Sequence, residues 1–403
     1  FSDKLVGPMV EKTTDHTGKT IEIYWIEESE RFGFEGELYI RFNKLIQKLH
    51  STNQLNEKVS LNYIESESFN WIIEVYKKKQ ANSNLFDYLT TKSEVEIKLR
   101  TFYFPVLNLE IEKPFRIGNV EFTYFTKEYF DNLYQQLKAN DDSCTEENFQ
   151  KIFRKDFQGQ VVVKATVKAE IDKAEEIAKL NSEIAVDVLK LYCESVMYPE
   201  SNKMFDLNYK LSYQVQSNFL TEKPNETKSL TINIKFNNRT FNFFYLHYQS
   251  AYQNGLKIIS DYISDKKTDE LHEIIIQSIH LFGSAISNWD LHLRCVNLIT
   301  ILESIFLKAE ESKDMEHKTM ARLAKALTNQ HLEKERIKTI FSNIYQVRHK
   351  MIHKARRIEI DTKELSEVQR NMVTLFLRLI ELNTKSGFKN KETLIEKLNQ
   401  IKS

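Results

Sequence analysis

Short stretches of alternating apolar and polar residues predict β-strands in the N-terminal part of the chain. Three such stretches are residues 21–26, 37–42 and 161–167. Gly118-Asn119 separates two further apolar runs and is typical of a two-residue hairpin turn. A helical pattern occurs at residues 130–138. We therefore interpret residues 1–165 as a β-rich domain with inserted helices.

A longer helical pattern follows at residues 168–198. Its apolar positions recur at intervals of three and four residues, and they are Ile177, Leu180, Ile184, Val188 and Leu191. Alternation at residues 230–236 and 241–245 then predicts two strands. Asn237-Asn238-Arg239 between them predicts a turn, because Asn tolerates positive φ. Residues 166–250 are thus expected to form a helix plus a β-hairpin that continue the N-terminal region.

Strand signals stop near residue 252, and helical periodicity takes over. One apolar stripe consists of Ile275, Ile279, Phe282 and Ile286, and Ser287-Asn288 offers an N-cap for the helix after it. Further helices are predicted at residues 289–309, 318–328, 332–347, 362–384 and 390–401. The narrow stripe of 362–384 suits packing in a bundle, or a seam with a partner. The predicted fold class is α+β, with an all-α helical bundle at residues 251–403.

Composition restricts how this chain could bind nucleic acid. The 57 basic and 57 acidic residues give a formal net charge of zero, so any such binding needs a local basic patch. The three cysteines, Cys144, Cys193 and Cys295, have no metal-ligand spacing, and their odd number argues against a disulfide framework. We therefore predict a reducing, cytoplasmic environment. No apolar run reaches the length of about 18 residues that spans a bilayer, so no membrane partner is expected.

One segment of the helical region concentrates both positive charge and imidazoles. Its basic residues are Arg348, Lys350, Lys354, Arg356 and Arg357, and no acid interrupts them. His349 and His353 lie inside this cluster. A positive field around a titratable imidazole suits phosphodiester chemistry on a polyanion. The cluster is the strongest candidate for a functional site in the sequence.

Helical geometry limits how these side chains could act together. His349 and His353 are four residues apart and share one face of a helix. Arg348 and His353 are five apart, which rotates them by roughly 140° relative to each other. Either the helix starts or bends near Arg348, or two copies of the segment meet. The second arrangement fits a two-fold dimer, whose axis brings the same patch of both subunits together.

The segment resembles the R-x4-H signature of the HEPN superfamily, and its surroundings are similar to the Apea-like HEPN branch. The residues that carry this resemblance are Arg348 and His353, the preceding Ile344-Tyr345, and the upstream run 296–306 with Leu302-Glu303. The resemblance covers roughly the last third of the chain.

The resemblance implies a metal-independent endoribonuclease without cofactors that acts as a homodimer with a shared cleft. Arg348 would hold the scissile phosphate, and His353 would transfer protons between the ribose 2′-hydroxyl and the leaving oxygen. His349 would orient these groups or contact phosphate, and Glu303 would orient Arg348 or His353. Lys350, Lys354, Arg356 and Arg357 would bind RNA.

The same resemblance implies a biological role in bacterial antiviral defence and abortive infection. In that role the N-terminal region would be a sensor or regulator that holds the nuclease in check, with a phage protein as a possible trigger. Transfer RNA or another structured cellular RNA would be the substrate. The sequence itself does not select among these RNAs.

Four other interpretations remain open at this stage. The basic cluster could be a solvated helix end favoured by the helix dipole. His349 and His353 could be two ligands of a metal, although no third ligand lies at a suitable spacing. The chain could be a non-catalytic module that binds RNA or protein in a defence or toxin–antitoxin system. Finally, Glu96 and Lys98 match the acid-x-lysine fragment of metal-dependent nucleases.

Overall fold

The computed structural model describes residues 9–28, 30–51, 55–140, 145–150, 154–201, 203–210, 215–223, 226–234, 240–265 and 269–401. The chain divides into two units. The first consists of Phe1–Phe102 and Thr166–Lys179, and the second of Tyr103–Ala165 and Leu180–Ser403. One division between the units falls between Ala165 and Thr166, where we predicted a boundary, and none falls near residue 250. The predicted fold class, α+β with a helical C-terminal region, is confirmed.

The first unit combines a small sheet with three helices. Its elements are β1 (Met9–Thr14), β2 (Thr20–Glu27), β3 (Glu30–Phe34), α1 (Gly36–His50), α2 (Leu61–Lys78) and α3 (Leu85–Glu96). The three strands form an antiparallel sheet in the order β1-β2-β3. Trp25, Phe42 and Phe69 belong to the hydrophobic core between the sheet and the helices. The strand predicted at residues 21–26 is β2 and is confirmed.

The strand predicted at residues 37–42 is wrong, because these residues begin helix α1. Tyr39, Phe42 and Ile46 are buried on one face, at intervals of three and four residues. Leu38 and Ile40 are exposed apolar residues, and they imitate the alternation of a strand. Burial of Tyr39, Phe42 and Ile46 on one face therefore favours a helix over a strand at these residues.

The next elements along the chain are β4 (Lys98–Leu107), β5 (Leu109–Ile111), β6 (Phe115–Ile117), β7 (Val120–Tyr124), α4 (Lys127–Asn140), α5 (Glu146–Phe149), α6 (Lys155–Phe157) and β8 (Val161–Ala169). The predicted hairpin is confirmed, since β6 pairs antiparallel with β7 and Gly118 takes a positive φ of 59° in the turn. The helix predicted at 130–138 and the strand predicted at 161–167 correspond to α4 and β8.

The middle of the chain continues with α7 (Ile171–Lys190), α8 (Glu194–Met197), β9 (Asp206–Leu207), β10 (Val215–Lys223), β11 (Glu226–Ile234) and β12 (Phe241–Phe243). The helix predicted at 168–198 therefore ends early, at Lys190. A five-stranded sheet has the order β6-β7-β8-β4-β9.

The hairpin predicted between residues 230–236 and 241–245 is also wrong. β11 pairs antiparallel with β10, and β12 pairs parallel with β5. The predicted turn, residues 237–239, lies outside the described residues. Alternation identifies strands but not their partners, which depend on contacts between distant parts of the chain.

Helices dominate the rest of the second unit. They are α9 (Tyr245–Ala251), α10 (Lys257–Ser264), α11 (Glu270–Ile286), α12 (Leu291–Phe306), α13 (Met315–Leu327), α14 (His331–Lys354), α15 (Thr362–Lys385) and α16 (Lys391–Gln400). The stripe predicted on α11 is confirmed, because all four of its residues are buried. The N-cap of α12 is Asp290, three residues after the start of the predicted cap. Within the described residues, no helix combines the length and apolar character needed to cross a bilayer.

Helix α12 is fixed by a buried arginine. Arg294 is fully buried, and it donates hydrogen bonds to the carbonyl oxygens of Asn288 and Pro199 and to Gln369 Oε1. Gln369 on α15 in turn donates to the carbonyl oxygens of Ser195 and Val196 in α8. A buried guanidinium is stable only with such partners, so this network fixes the positions of α8, α12 and α15.

A second buried network joins α7, β9 and α11. Lys190 Nζ lies 2.8 Å from Asp187 Oδ1 and 2.6 Å from Asp206 Oδ2. His280 Nδ1 lies 2.6 Å from the other oxygen of Asp187. Although burial opposes both charges, their mutual attraction lowers the pKa of Asp187 and raises that of Lys190. Gly283 makes room for this network, because a Cβ there would lie 2.4 Å from the Asp187 side chain.

Candidate active site

Helix α14 carries the basic segment, and it is continuous from His331 to Lys354. It extends two turns beyond the predicted end at residue 347 and passes through Arg348 without a break. The helix ends at Ala355, which takes a left-handed conformation with a φ of 47°. His353 and Lys354 in its last turn interact favourably with the helix dipole. Of the two arrangements considered for Arg348 and His353, a helix that starts or bends near Arg348 is therefore excluded.

The guanidinium of Arg348 is held by Glu303 of the neighbouring helix α12. Arg348 Nη2 donates to Glu303 Oε2 at 2.8 Å, and the Tyr345 hydroxyl donates to Glu303 Oε1 at 2.5 Å. Arg348 also lies over the Tyr345 ring, 5.5 Å from its centroid. Burial and the adjacent Glu303 carboxylate raise the pKa of Tyr345, so its hydroxyl stays a proton donor. Of the two partners considered for Glu303, Arg348 and His353, the structure shows the contact with Arg348.

This arrangement leaves Arg348 only partly satisfied. The side chains of Arg348 and Glu303 are 21% and 12% exposed, so the pair is largely shielded from water. The Nε atom of Arg348 is buried and has no hydrogen-bond partner in the described structure. A guanidinium has five N–H donors. In Arg348, the side-chain hydrogen bond to Glu303 uses a donor on Nη2 alone. The remaining donors could receive an anion that approaches the exposed part of the side chain.

The two imidazoles lie side by side at the C-terminal end of α14. The ring centroids of His349 and His353 are 5.0 Å apart, and the ring planes are inclined by 47°. Both side chains are exposed, and within the described residues neither ring accepts or donates a hydrogen bond. The predicted shared face is confirmed. Solvent-exposed imidazoles can exchange protons with a ligand, which buried ones cannot do easily.

The predicted RNA-binding residues differ in their surroundings. Lys354 and Arg356 are exposed, and Lys350 is half-buried. Arg357 instead forms an ion pair with Asp290, with 2.5 Å between Nη2 and Oδ2. Burial opposes ionisation of Asp290, but the backbone N–H of His292 and the Arg357 guanidinium lower the pKa of Asp290. Arg357 therefore ties the end of the basic segment to the start of α12.

Two supporting residues were not assigned a role from the sequence. Tyr345 lies one helical turn before Arg348 and shares its carboxylate partner. Its spacing of three residues from Arg348 and its place in the motif were the available signals. Asp290 was missed because the N-cap was placed at Ser287-Asn288.

The metal alternatives gain no geometric support. Among the residues that the structure describes, no group of three or more His, Cys, Asp or Glu could hold a metal ion. Glu96 is the last residue of helix α3 rather than a strand residue. Its carboxylate lies 3.8 Å from Lys98 Nζ and 3.6 Å from Arg100 Nη2. It therefore belongs to a partly exposed ion-pair cluster.

Comparison with known proteins gives no relative for this chain, because no family model, curated protein or solved structure matches it. The HEPN resemblance therefore stays a prediction.

Proposed function

We propose that the chain is a metal-independent endoribonuclease of the HEPN type. The observation that carries the proposal is the surface of α14, where a partly satisfied guanidinium lies one residue before two exposed, adjacent imidazoles. Three unpaired basic residues, Lys350, Lys354 and Arg356, surround the imidazoles in the described structure. This combination suits a single-stranded polyanion better than a neutral ligand.

The proposed reaction uses two kinds of group. An imidazole, His353, removes the proton of a ribose 2′-hydroxyl as its oxygen attacks the adjacent phosphorus. The bond from phosphorus to the 5′-oxygen breaks, and a protonated imidazole returns a proton to that leaving oxygen. Arg348 neutralises the charge that develops on the phosphate. The products are a 2′,3′-cyclic phosphate and a 5′-hydroxyl.

A second copy of the chain completes this site in our proposal. Arg348 and His353 are roughly 140° apart around the continuous α14, so they do not converge within one chain. The helices α12 and α14 pack against each other and carry exposed apolar side chains. Ile352 is 55% exposed, Leu293 is 40% exposed, and Trp289 just before α12 is 47% exposed. Apolar residues at such exposure beside a polar site favour an interface, here with the same surface of a second copy.

The N-terminal unit would act as a sensor or regulator in this proposal. Helix α1 exposes Leu38, Ile40 and Leu45, which are 58%, 54% and 43% accessible. A cavity of about 490 Å³ beside the helix is lined by Ile21, Tyr39, Ile40 and Lys44, among others. An exposed apolar surface next to a cavity supports recognition of a protein partner, and a phage protein is the trigger that we propose. The cell would lose RNA, with transfer RNA as the candidate substrate, as an antiviral response.

One observation favours a second candidate, a non-catalytic module that binds RNA or protein. Glu303 and Asp290 already neutralise Arg348 and Arg357. A phosphate would have to compete with Glu303 for the Arg348 guanidinium. If that competition fails, the remaining basic residues could hold RNA without cutting it.

The two candidates are separated by RNA cleavage assays in excess chelator. The wild-type protein is compared with His353→Ala and with His331→Ala, whose exposed imidazole lies at the other end of α14, about 33 Å away. Cleavage that persists in chelator, disappears in His353→Ala and survives in His331→Ala supports the endoribonuclease. Equal cleavage in all three proteins contradicts the assigned site. RNA binding without cleavage by any of them, also in extracts of infected cells, favours the non-catalytic module.

A further inference from the structure

A cavity of about 470 Å³ lies in the second unit, away from the α14 surface. Its walls come from the region of α8, from α9 and the segment after it, and from α15. None of its lining residues belongs to α12 or α14. The volume is within the range of about 300–1,000 Å³ that is usual for small-molecule sites.

Arg370 is the one formally charged side chain among the described residues that line this cavity. Arg370 and His247 line it, and no Asp or Glu is among its described lining residues. Arg370 is exposed and has no ion pair or side-chain hydrogen bond in the described structure. Arg378, two turns along the same helix, is paired with Glu381. In a chain with a net charge of zero, an unpaired guanidinium at a cavity without acids favours an anionic ligand.

Other lining residues of the cavity are apolar. Val196, Met197, Val373 and Leu377 line the cavity, and Met197 is 48% exposed. A ligand could therefore cover apolar surface while its charged group contacts Arg370. Sites for small organic molecules typically combine a mostly apolar lining with a few polar or charged contacts.

A break in the helix shapes one edge of the cavity. Residues Tyr252–Leu256 between α9 and α10 form a kink, in which Asn254 and Gly255 leave the helical conformation and Gly255 takes a φ of 103°. A Cβ at Gly255 would lie 2.5 Å from Leu377 Cδ2, so only glycine allows this approach to α15. The break places Asn254 at the cavity wall.

We propose that this cavity binds a small organic anion, in which a carboxylate or phosphate group is attached to an apolar or aromatic body. Arg370 and His247 contact the anionic group, and Val196, Met197, Val373 and Leu377 cover the body. The site is independent of the proposed ribonuclease, because the two share no residue. A ligand here would be a natural small-molecule effector of the second unit.

The test uses two fluorescent probes that differ in charge. Anilinonaphthalene sulfonate carries an anionic group on an aromatic body, and N-phenylnaphthylamine is its neutral counterpart. We expect the full-length protein to bind the sulfonate at one site. Arg370→Met removes a charge-assisted contact, so it should lower the affinity for the sulfonate by about 10-fold or more. The affinity for the neutral probe should not change. Thr374→Trp, which fills the cavity, should lower the affinity for both probes.

The controls make the result specific. Arg378→Met removes an exposed arginine from the same helix and should bind the sulfonate like the wild type. Decanoate and phenyl phosphate serve as competitors, and the one that displaces the sulfonate identifies the anionic group as carboxylate or phosphate. Circular dichroism and the thermal midpoint verify folding of each variant. The proposal is overturned if the sulfonate does not bind, if neither competitor displaces it, or if Arg370→Met and Arg378→Met bind it equally.

Discussion

Arg348 and Glu303 are joined across two packed helices by a hydrogen-bonded ion pair, with 2.8 Å between Nη2 and Oε2. The pair is largely buried, and Tyr345 holds the second oxygen of the carboxylate. Glu303 therefore fixes the direction of the guanidinium and also competes with any phosphate that approaches it. Both effects have measurable consequences.

Removing the charge of Glu303 should strengthen RNA binding. Glu303→Gln keeps an oxygen for the Tyr345 hydroxyl but no longer neutralises Arg348, so we expect the RNA affinity to rise roughly 10-fold at fixed salt. Fluorescence anisotropy with labelled RNA measures this, in a His353→Ala background that prevents cleavage. Glu316→Gln is the control. Glu316 lies on α13 and accepts a hydrogen bond from Gln346, which is on the same helix as Arg348. An unchanged affinity in Glu303→Gln would mean that Glu303 only supports the fold.

A charge on the exposed apolar surface of α14 should separate the proposed dimer. Ile352→Asp introduces a carboxylate where we place the two-fold contact, so it should give monomers in analytical ultracentrifugation and abolish cleavage. Leu332→Asp changes a residue that is 86% exposed at the opposite end of the helix. It should leave both properties unchanged. The interface assignment fails if Ile352→Asp sediments like the wild type.

The buried network around Lys190 should contribute strongly to stability. Lys190→Met leaves Asp187 and Asp206 buried without their shared cation, so we expect a loss of about 3–5 kcal/mol in the free energy of unfolding. Urea denaturation measures the loss. Lys385→Met, at a side chain that is 76% exposed, is the control and should not shift the midpoint. A small effect of Lys190→Met would show that solvent reaches the two carboxylates.

The ion pair between Glu311 and Arg322 should make stability depend on acid pH. The Arg322 guanidinium and then the backbone N–H of Lys308, working against burial, lower the pKa of Glu311 from 4.5 to about 2. A lowered pKa contributes stability that is present above pH 4.5 and is lost as the pH falls towards 2. Glu311→Gln should therefore be less stable than the wild type at pH 7, with a difference that narrows below pH 4.5.

The control for this pH dependence is Glu396→Gln, whose side chain is 62% exposed and should have little effect at any pH. Free energies of unfolding at several pH values between about 7 and 2.5 give the comparison. A difference for Glu311→Gln that stays constant over this range would contradict the lowered pKa.

Helical periodicity predicted the C-terminal region well because each of its helices buries one face. The four residues of the stripe predicted on α11 are all buried, and α15 also buries residues at intervals of three and four, among them Leu365, Val368, Met372, Leu375 and Leu379. Periodicity failed at α1, where exposed Leu38 and Ile40 imitate a strand. It also missed the last two turns of α14, because the polar residues after Arg348 bury little surface and carry no apolar stripe.

Contacts between distant residues were harder to predict. The parallel pairing of β12 with β5 follows from tertiary packing and leaves no local signal. The cluster of Arg348, His349 and His353 was visible in the sequence because its residues are adjacent. The contact from Glu303 was expected only from the family resemblance, since spacing along one helix says nothing about a neighbouring helix. The cavity at Arg370 joins three separate segments and had no sequence signal.

The central claim is that Arg348 of one chain and His353 of another act on the same phosphate. Mixing Arg348→Ala with His353→Ala protein tests it directly, with RNA cleavage measured in chelator. Each variant alone should be inactive. After subunit exchange, half of the dimers are mixed, and each mixed dimer retains one of two Arg–His pairs, so about one quarter of the wild-type activity should return. A mixture as inactive as its two components, with exchange verified, would contradict the shared site.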